Sequence, residues 1–181
     1  MNVTGGLSDP LLYALIVGMA GVMTSYFWQI LFQETFQGFM TPDMKGAGLD
    51  FFRNIGMAAV AIVSPFLIIF GLFLWSGFLH LLLMLVRGAK NGFEATFRVV
   101  SYANGANLFL AIPFCGGMIA LIWTMVISII GLKEAHGTSG GKASFAVLFP
   151  LILCCGLAML VVLMIIGAAA ASIGTMQHQW R

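Results

Sequence analysis

The chain has 181 residues, of which 61% are apolar and 8% charged, with a mean hydropathy of +1.04, whereas a soluble domain is usually about 25% charged. Too few charged groups are present to cover a water-facing exterior of this size, so the apolar surplus must face lipid or a partner, and lipid is the simpler choice. The formal charge is only +2 and the eight Lys and Arg form no run, which excludes nucleic acid as a partner.

A helix needs about 20 apolar residues to cross a hydrocarbon core roughly 30 Å thick, and that ruler divides the chain. The first run, Leu11 to Phe32, has no Lys or Arg before it and no small-residue cleavage site after a short core. It reads as a retained span and not as a removable signal. The stretch from Gln33 to Asn54, with Glu34, Asp43, Lys45, Asp50 and Arg53 among Pro and Gly, reads as an external connection. Phe51 and Phe52 beside Arg53 would anchor the entry to the next span.

The second run, Ile55 to Val86, would make a helix of roughly 48 Å. With Ser64 and Pro65 near one end, it predicts a kinked or strongly tilted span. The third run, Val99 to Leu132, is interrupted by Pro113, Cys115, Gly116 and Gly117. It can be one kinked helix or a tight hairpin of two, Phe93 to Ile112 and Phe114 to Leu132, each about 30 Å long. The last run is Phe145 to Gly174.

Lys and Arg gather in short cytoplasmic loops, and this favours the hairpin. With five spans and the N-terminus inside, Arg87, Lys90, Arg98, Lys133 and Lys142 are cytoplasmic and Lys45, Arg53 and Arg181 external. With four spans and one helix kinked at Pro113, the split is even. The expectation is therefore an all-α polytopic bundle of five transmembrane helices, at about 11–33, 58–86, 93–112, 114–132 and 145–174, in one domain.

From Gly92 the residues read Gly-Phe-Glu-Ala-Thr-Phe-Arg-Val-Val-Ser-Tyr-Ala. They continue with Ile112-Pro113, Gly116, Trp123, then Gly131-Leu-Lys-Glu-Ala-His136 and Lys142-Ala143. This pattern resembles the Yip domain family, the Ypt/Rab-interacting five-span membrane proteins, in its prokaryotic form. The resemblance covers most of the chain and is strongest from Gly88 to Pro150. It implies five spans, a cytosolic N-terminus, an external C-terminus and no enzymatic activity or cofactor. It also marks Glu94, Arg98, Tyr102, Asn104, Pro113, Gly116, Glu134, His136 and Lys142 as candidate motif or interaction residues. Eukaryotic relatives are associated with Rab-type GTPases and carry a cytosolic region with an acidic-aromatic-Gly-Pro motif before the first span. That motif is not in this sequence, so a Rab-type GTPase is not expected as a partner. The expected partners are the lipid bilayer and a membrane protein or a second copy, in a bacterial cytoplasmic membrane.

Individual residues support two kinds of reading. Glu94 and Arg98 stand four apart with Glu first, the favourable order for a local ion pair, and Arg98 could instead meet an anion or lipid headgroup. His80, in an apolar span, needs an interior hydrogen-bond partner. It could also join His136, Glu134 and Glu94 in a metal or proton-relay cluster, although the spacing matches no ligand motif. Ser101, Asn104, Gly105 and Asn107 read as interhelical glue. A polar solute or headgroup path would need more polar groups from other spans, and Gln29, Thr124 and Ser128 are the candidates. Gly167 with Ala171, and Ala170 with Gly174, have small-xxx-small spacing for close helix contact. The three cysteines fit neither a disulfide framework nor a metal site. H-E-x-x-H, G-x-S-x-G and G-x-x-x-x-G-K do not occur, and no acid and base pair can be named.

Overall fold

A computed structural model describes the backbone of residues 6–40 and 47–179 and the side chains of 6–32, 59–60 and 62–167. Five α-helices and one 3₁₀ segment make up the described chain: α1 (Ser8–Met40), α2 (Ala47–Leu85), α3 (Phe93–Ala103), the 3₁₀ segment Asn104–Ala111, α4 (Gly116–His136) and α5 (Gly140–Gln179). Within α1, α2, α4 and α5, the stretches Ser8–Phe32, Ile62–Leu85, Gly116–His136 and Gly140–Gly167 are long and apolar enough to cross a membrane.

The element between α2 and α4 is composite. Asn104, Gly105 and Asn107 are weak helix formers whose backbone and amide groups compete with helical bonding, and the α3 helix tightens into 3₁₀ geometry where they begin. Eleven α residues and eight 3₁₀ residues together reach about 32 Å, close to the thickness of the hydrocarbon core. Eight residues is long for this geometry, which seldom exceeds one turn. The single helix expected from Phe93 to Ile112 is thus two kinds of helix in series.

At Pro113 the chain reverses. The N–H of Cys115 donates to the Pro113 carbonyl at 2.8 Å across Phe114, whose φ is +64°, a tight three-residue turn in the rare left-handed form. Beyond it α4 packs back along the 3₁₀ segment and α3. Phe109 meets Trp123 with ring centroids 6.2 Å apart, Gly131 lies against Val99, and Thr96 meets His136. Residues 93–136 are therefore a hairpin, and a single helix kinked at Pro113 is excluded.

The connection expected from Gln33 to Asn54 is mostly helical. The α1 helix continues to Met40 and α2 starts at Ala47, because Gln, Glu, Phe and Met between 33 and 40 are compatible with a helix and Gly38 alone opposes it. The anchors Phe51, Phe52 and Arg53 lie on the first turns of α2, with side chains outside those described. Pro65 sits inside a helix that runs unbroken on both sides, and the neighbouring Ser64 hydroxyl reaches Met19 Sδ at 3.3 Å.

All five helices converge at one end. Ala14, Leu83, Phe97, Leu132 and Ala143, one from each, have no exposed surface and belong to one apolar cluster. Large side chains elsewhere point outward: Phe66, Phe70, Ile122 and Ile152 are all exposed, the inverse of a water-soluble protein. The loops after α2 and after α4 lie side by side at the convergent end. Lys90 Nζ donates to the Gly137 carbonyl at 2.8 Å and Lys142 Nζ to the Arg87 carbonyl at 3.1 Å. Each lysine thus places a cation at the negative C-terminal end of another helix.

Both helix ends close in the same way. After α4, Gly137 at φ +55° donates to Glu134 and Thr138 donates to Lys133, and after α2, Arg87 at φ +51° donates to Met84 and Gly88 to Leu83. This double bond pattern needs one left-handed residue, normally glycine. Arg87 occupies that position with a side chain, so Arg87→Gly is expected to raise stability in detergent by roughly 1 kcal/mol. A lower thermal midpoint for the variant would show that the arginine side chain outweighs the backbone strain.

Candidate functional site

Three polar side chains from three helices meet inside the convergent end. His80 Nδ1 on α2 lies 2.9 Å from Thr96 Oγ1 on α3, and Thr96 Oγ1 lies 2.9 Å from His136 Nε2 on α4. The backbone N–H of Asn91 donates to His136 Nδ1 at 3.2 Å, and this last bond orders the others. An accepting Nδ1 leaves the neutral ring's proton on Nε2, which donates to Thr96, and the Thr96 hydroxyl then donates to His80 Nδ1. The chain Asn91–His136–Thr96–His80 has one direction throughout. Thr96 is 0%, His136 1% and His80 7% exposed, so these bonds replace water that is not available there.

The interior partner that His80 required is Thr96, which sequence reasoning missed. The available signal was that Thr96 is a hydroxyl on α3 near the same end of the bundle, but which faces meet depends on helix register. The structure brings His80 and His136 together and leaves the two acids outside. Glu94 pairs with Arg98 at 2.7 Å and Glu134 with Lys133 at 2.9 Å, both at exposed positions. Among the described residues no three His, Cys, Asp or Glu side chains gather as a metal site.

Arg98 reaches back one turn along α3 to Glu94 and is the more buried of the two. Arg98→Glu alone is expected to cost about 0.5–1 kcal/mol, and adding Glu94→Arg should restore most of it. Equal loss in the single and double variants, read by thermal unfolding in detergent, would mean that the pair contributes nothing. Asn91, Glu94, Arg98, Tyr102, Ile127 and Gly131 border an open groove of about 610 Å³ between α3 and α4. Tyr102, half exposed, also meets the tilted ring of Tyr13 of α1 with ring centroids 5.2 Å apart. Lys142 is tied to the Arg87 carbonyl as described above.

Among the described residues, Asn104 and Asn107 make no side-chain hydrogen bond to another helix. Asn107 Nδ2 donates to Asn104 Oδ1 within the same segment, and the interhelical glue expected of them is made instead by the histidine chain. Both line a cavity of about 580 Å³ in the half of the bundle away from the convergent end. Gln29, Thr124 and Ser128 line it too, so polar residues of other helices do converge with the asparagines. Ser101 lies fully buried nearby, its hydroxyl without a partner among the described residues. Pro113 and Gly116 shape the hairpin: a Cβ at Gly116 would strike the Phe109 carbonyl and the Leu110 backbone. Pro113 also borders a cavity of about 400 Å³ with Gln29, Phe32 and Phe114. The pair Ala170 and Gly174, and Ala171 opposite Gly167, have side chains outside those described.

Long apolar helices, lipid-compatible side chains over the exterior and a hydrogen-bonded interior at one end define an integral, helical membrane protein with several candidate spans. A family model, the Yip1 domain, matches residues 1–163. The chain belongs to the Yip1 domain family, whose members are generally non-enzymatic. No curated protein and no solved structure gives a significant match.

Proposed function

We propose that the chain is a non-enzymatic membrane organiser, an adaptor that holds a partner membrane protein, or a second copy, against the free half of α5. The observation that carries this reading is the contrast within that helix. Ala143, Ala146 and Val147 are buried in the bundle, whereas every residue from Ile152 to Gly167 is exposed. About 24 Å of apolar helix thus stands away from its own protein. Lipid tails are as apolar as its side chains, so a partner would be held by close packing rather than by hydrophobic force.

Photo-crosslinkers at Leu153, Leu157 and Met164, with Leu82 as an interior control, test this in membranes. The expected result is one adduct of defined mass from positions on one helical face. Lipid adducts alone, at every position, would count against the adaptor.

We place the convergent end in the cytosol of a bacterial cytoplasmic membrane, because the basic side chains among the described residues, Arg87, Lys90, Arg98, Lys133 and Lys142, all lie near it and short cytoplasmic loops are basic. Five crossings then carry Cys115 to the outer face. An impermeant maleimide added to whole cells is expected to label Cys115, which is exposed at the hairpin turn, while Cys154 and Cys155 stay protected within lipid. Labelling that requires broken cells would reverse the orientation.

A second reading, movement of a lipid or polar solute, is favoured by the meeting of Gln29, Asn104, Asn107, Thr124 and Ser128 in one cavity. Reconstituted protein that moves neither labelled lipid nor ions faster than empty liposomes would dismiss it.

A further inference from the structure

We propose that the groove between α3 and α4 at the basic end binds a phospholipid whose headgroup carries a primary ammonium, with its phosphate at Arg98 and its ammonium at Glu94. This goes beyond the adaptor reading and does not depend on it, since the groove and the free half of α5 are separate surfaces.

The Arg98 guanidinium has donors to spare. Among the described residues only one of its nitrogens has a partner, Nη2, which bonds Glu94 Oε1. Nε is shielded and has no partner among the described residues, and Nη1 makes no bond to them either. With Nε enclosed and Nη2 on Glu94, Nη1 is the donor that a phosphate oxygen entering the groove can meet. At the edge of a hydrocarbon layer, donors left without acceptors are costly. Phosphate is the acceptor that a bilayer itself supplies at that level.

The two charges also stand side by side in the groove, 2.7 Å apart. Arg98 is rooted four residues further into the bundle than Glu94, about 6 Å along the backbone, but its side chain reaches back to the carboxylate, and it is the less exposed of the two. In a phospholipid the phosphate joins the glycerol, and the amine sits a two-carbon link further out. The pair therefore offers the lipid's phosphate a cation and, next to it, the lipid's ammonium a carboxylate.

Glu94 supplies the selectivity. It stands in the same groove, so a headgroup that is anionic and lacks a cation meets repulsion there. A quaternary ammonium has no N–H to donate to the carboxylate, whereas a primary ammonium has three.

The acyl chains have a seat as well. Beyond Arg98 the groove is walled by Tyr102 and Ile127 and floored by Gly131. A Cβ at Gly131 would come within 2.6 Å of Val99 Cγ1, so glycine keeps α3 and α4 at the spacing that shapes the groove.

The test uses the full chain in mild detergent, with native mass spectrometry of retained lipid from phosphatidylethanolamine, phosphatidylcholine and phosphatidylglycerol of matched acyl chains. Phosphatidylethanolamine should be retained over the others by roughly tenfold, the scale of one charge-assisted hydrogen bond. Arg98→Gln should remove retention of all three, and Glu94→Gln should erase the preference for phosphatidylethanolamine over phosphatidylglycerol while keeping binding. The double variant Glu94→Arg with Arg98→Glu keeps an ion pair and so should fold, but inverts the order of charges and should lose the preference. Excess soluble phosphoethanolamine should compete weakly. Equal retention of all three lipids by the unaltered chain, an unchanged preference in the double variant, or full competition by phosphoethanolamine would each overturn the proposal.

Discussion

Replacing Thr96 by valine is expected to lower unfolding stability in detergent by about 2–5 kcal/mol, the combined cost of two lost hydrogen bonds and two stranded ring nitrogens. The two side chains have nearly the same shape, so packing around a residue with no exposed surface is retained. What changes is that a methyl faces both His80 Nδ1 and His136 Nε2, each now 2.9 Å from an oxygen. Water cannot reach either nitrogen in compensation. Thr96→Ser keeps the hydroxyl and should lie within about 1 kcal/mol of the unaltered protein. Indistinguishable thermal midpoints for the valine and serine variants would mean that the hydrogen-bond chain contributes nothing. Because the three residues belong to three helices, the valine variant should also loosen α2 against the hairpin, seen as faster amide exchange at Asn91, whose N–H bonds His136.

The second large effect is expected at the turn. Gly116→Val places a branched side chain against the carbonyl of Phe109 and the backbone of Leu110, where no rotamer change can make room. Overpacking of this kind costs roughly 3 kcal/mol or more, and here it pushes the start of α4 away from the 3₁₀ segment. Gly117→Val is the matched control, since a Cβ at Gly117 meets nothing within 4 Å. The comparison separates steric exclusion at one glycine from a general intolerance of β-branched residues at the head of a helix. Equal yields and midpoints for the two variants would show that the hairpin does not need close backbone approach there.

Much of the architecture is legible in the amino-acid sequence. Hydrophobic runs locate the long helices, since the length of a span is set by the bilayer and not by packing detail. Pro113 and Gly116 announce the reversal, because one cannot continue a helix and the other permits backbone contact. The segment from Gln33 to Asn54 misleads: its charges and glycines suggest a loop, but helix propensity decides where neighbouring helical turns already exist, and nucleation is the costly step. Asn104 and Asn107 are legible as polar and as weak helix formers, but weak helix propensity does not by itself say whether the helix tightens to 3₁₀ or ends.

The candidate site is only half legible for a related reason. That His80 needs a partner follows from solvation alone, whereas that the partner is Thr96 and not Glu94 depends on the rotation of α3 about its axis. Composition carries no information on that rotation. Arg98 and Glu94 can be paired from their spacing, since four residues bring side chains together on any α-helix.

An α-helix rises about 1.5 Å per residue and a 3₁₀ helix about 2.0 Å, so the same number of residues reaches further in the tighter winding. Rewinding Asn104–Ala111 as α-helix would shorten it by about 4 Å. The 3₁₀ winding therefore carries the chain from the clasped end to the Pro113 turn with roughly two or three residues fewer than an α-helix of the same reach would need.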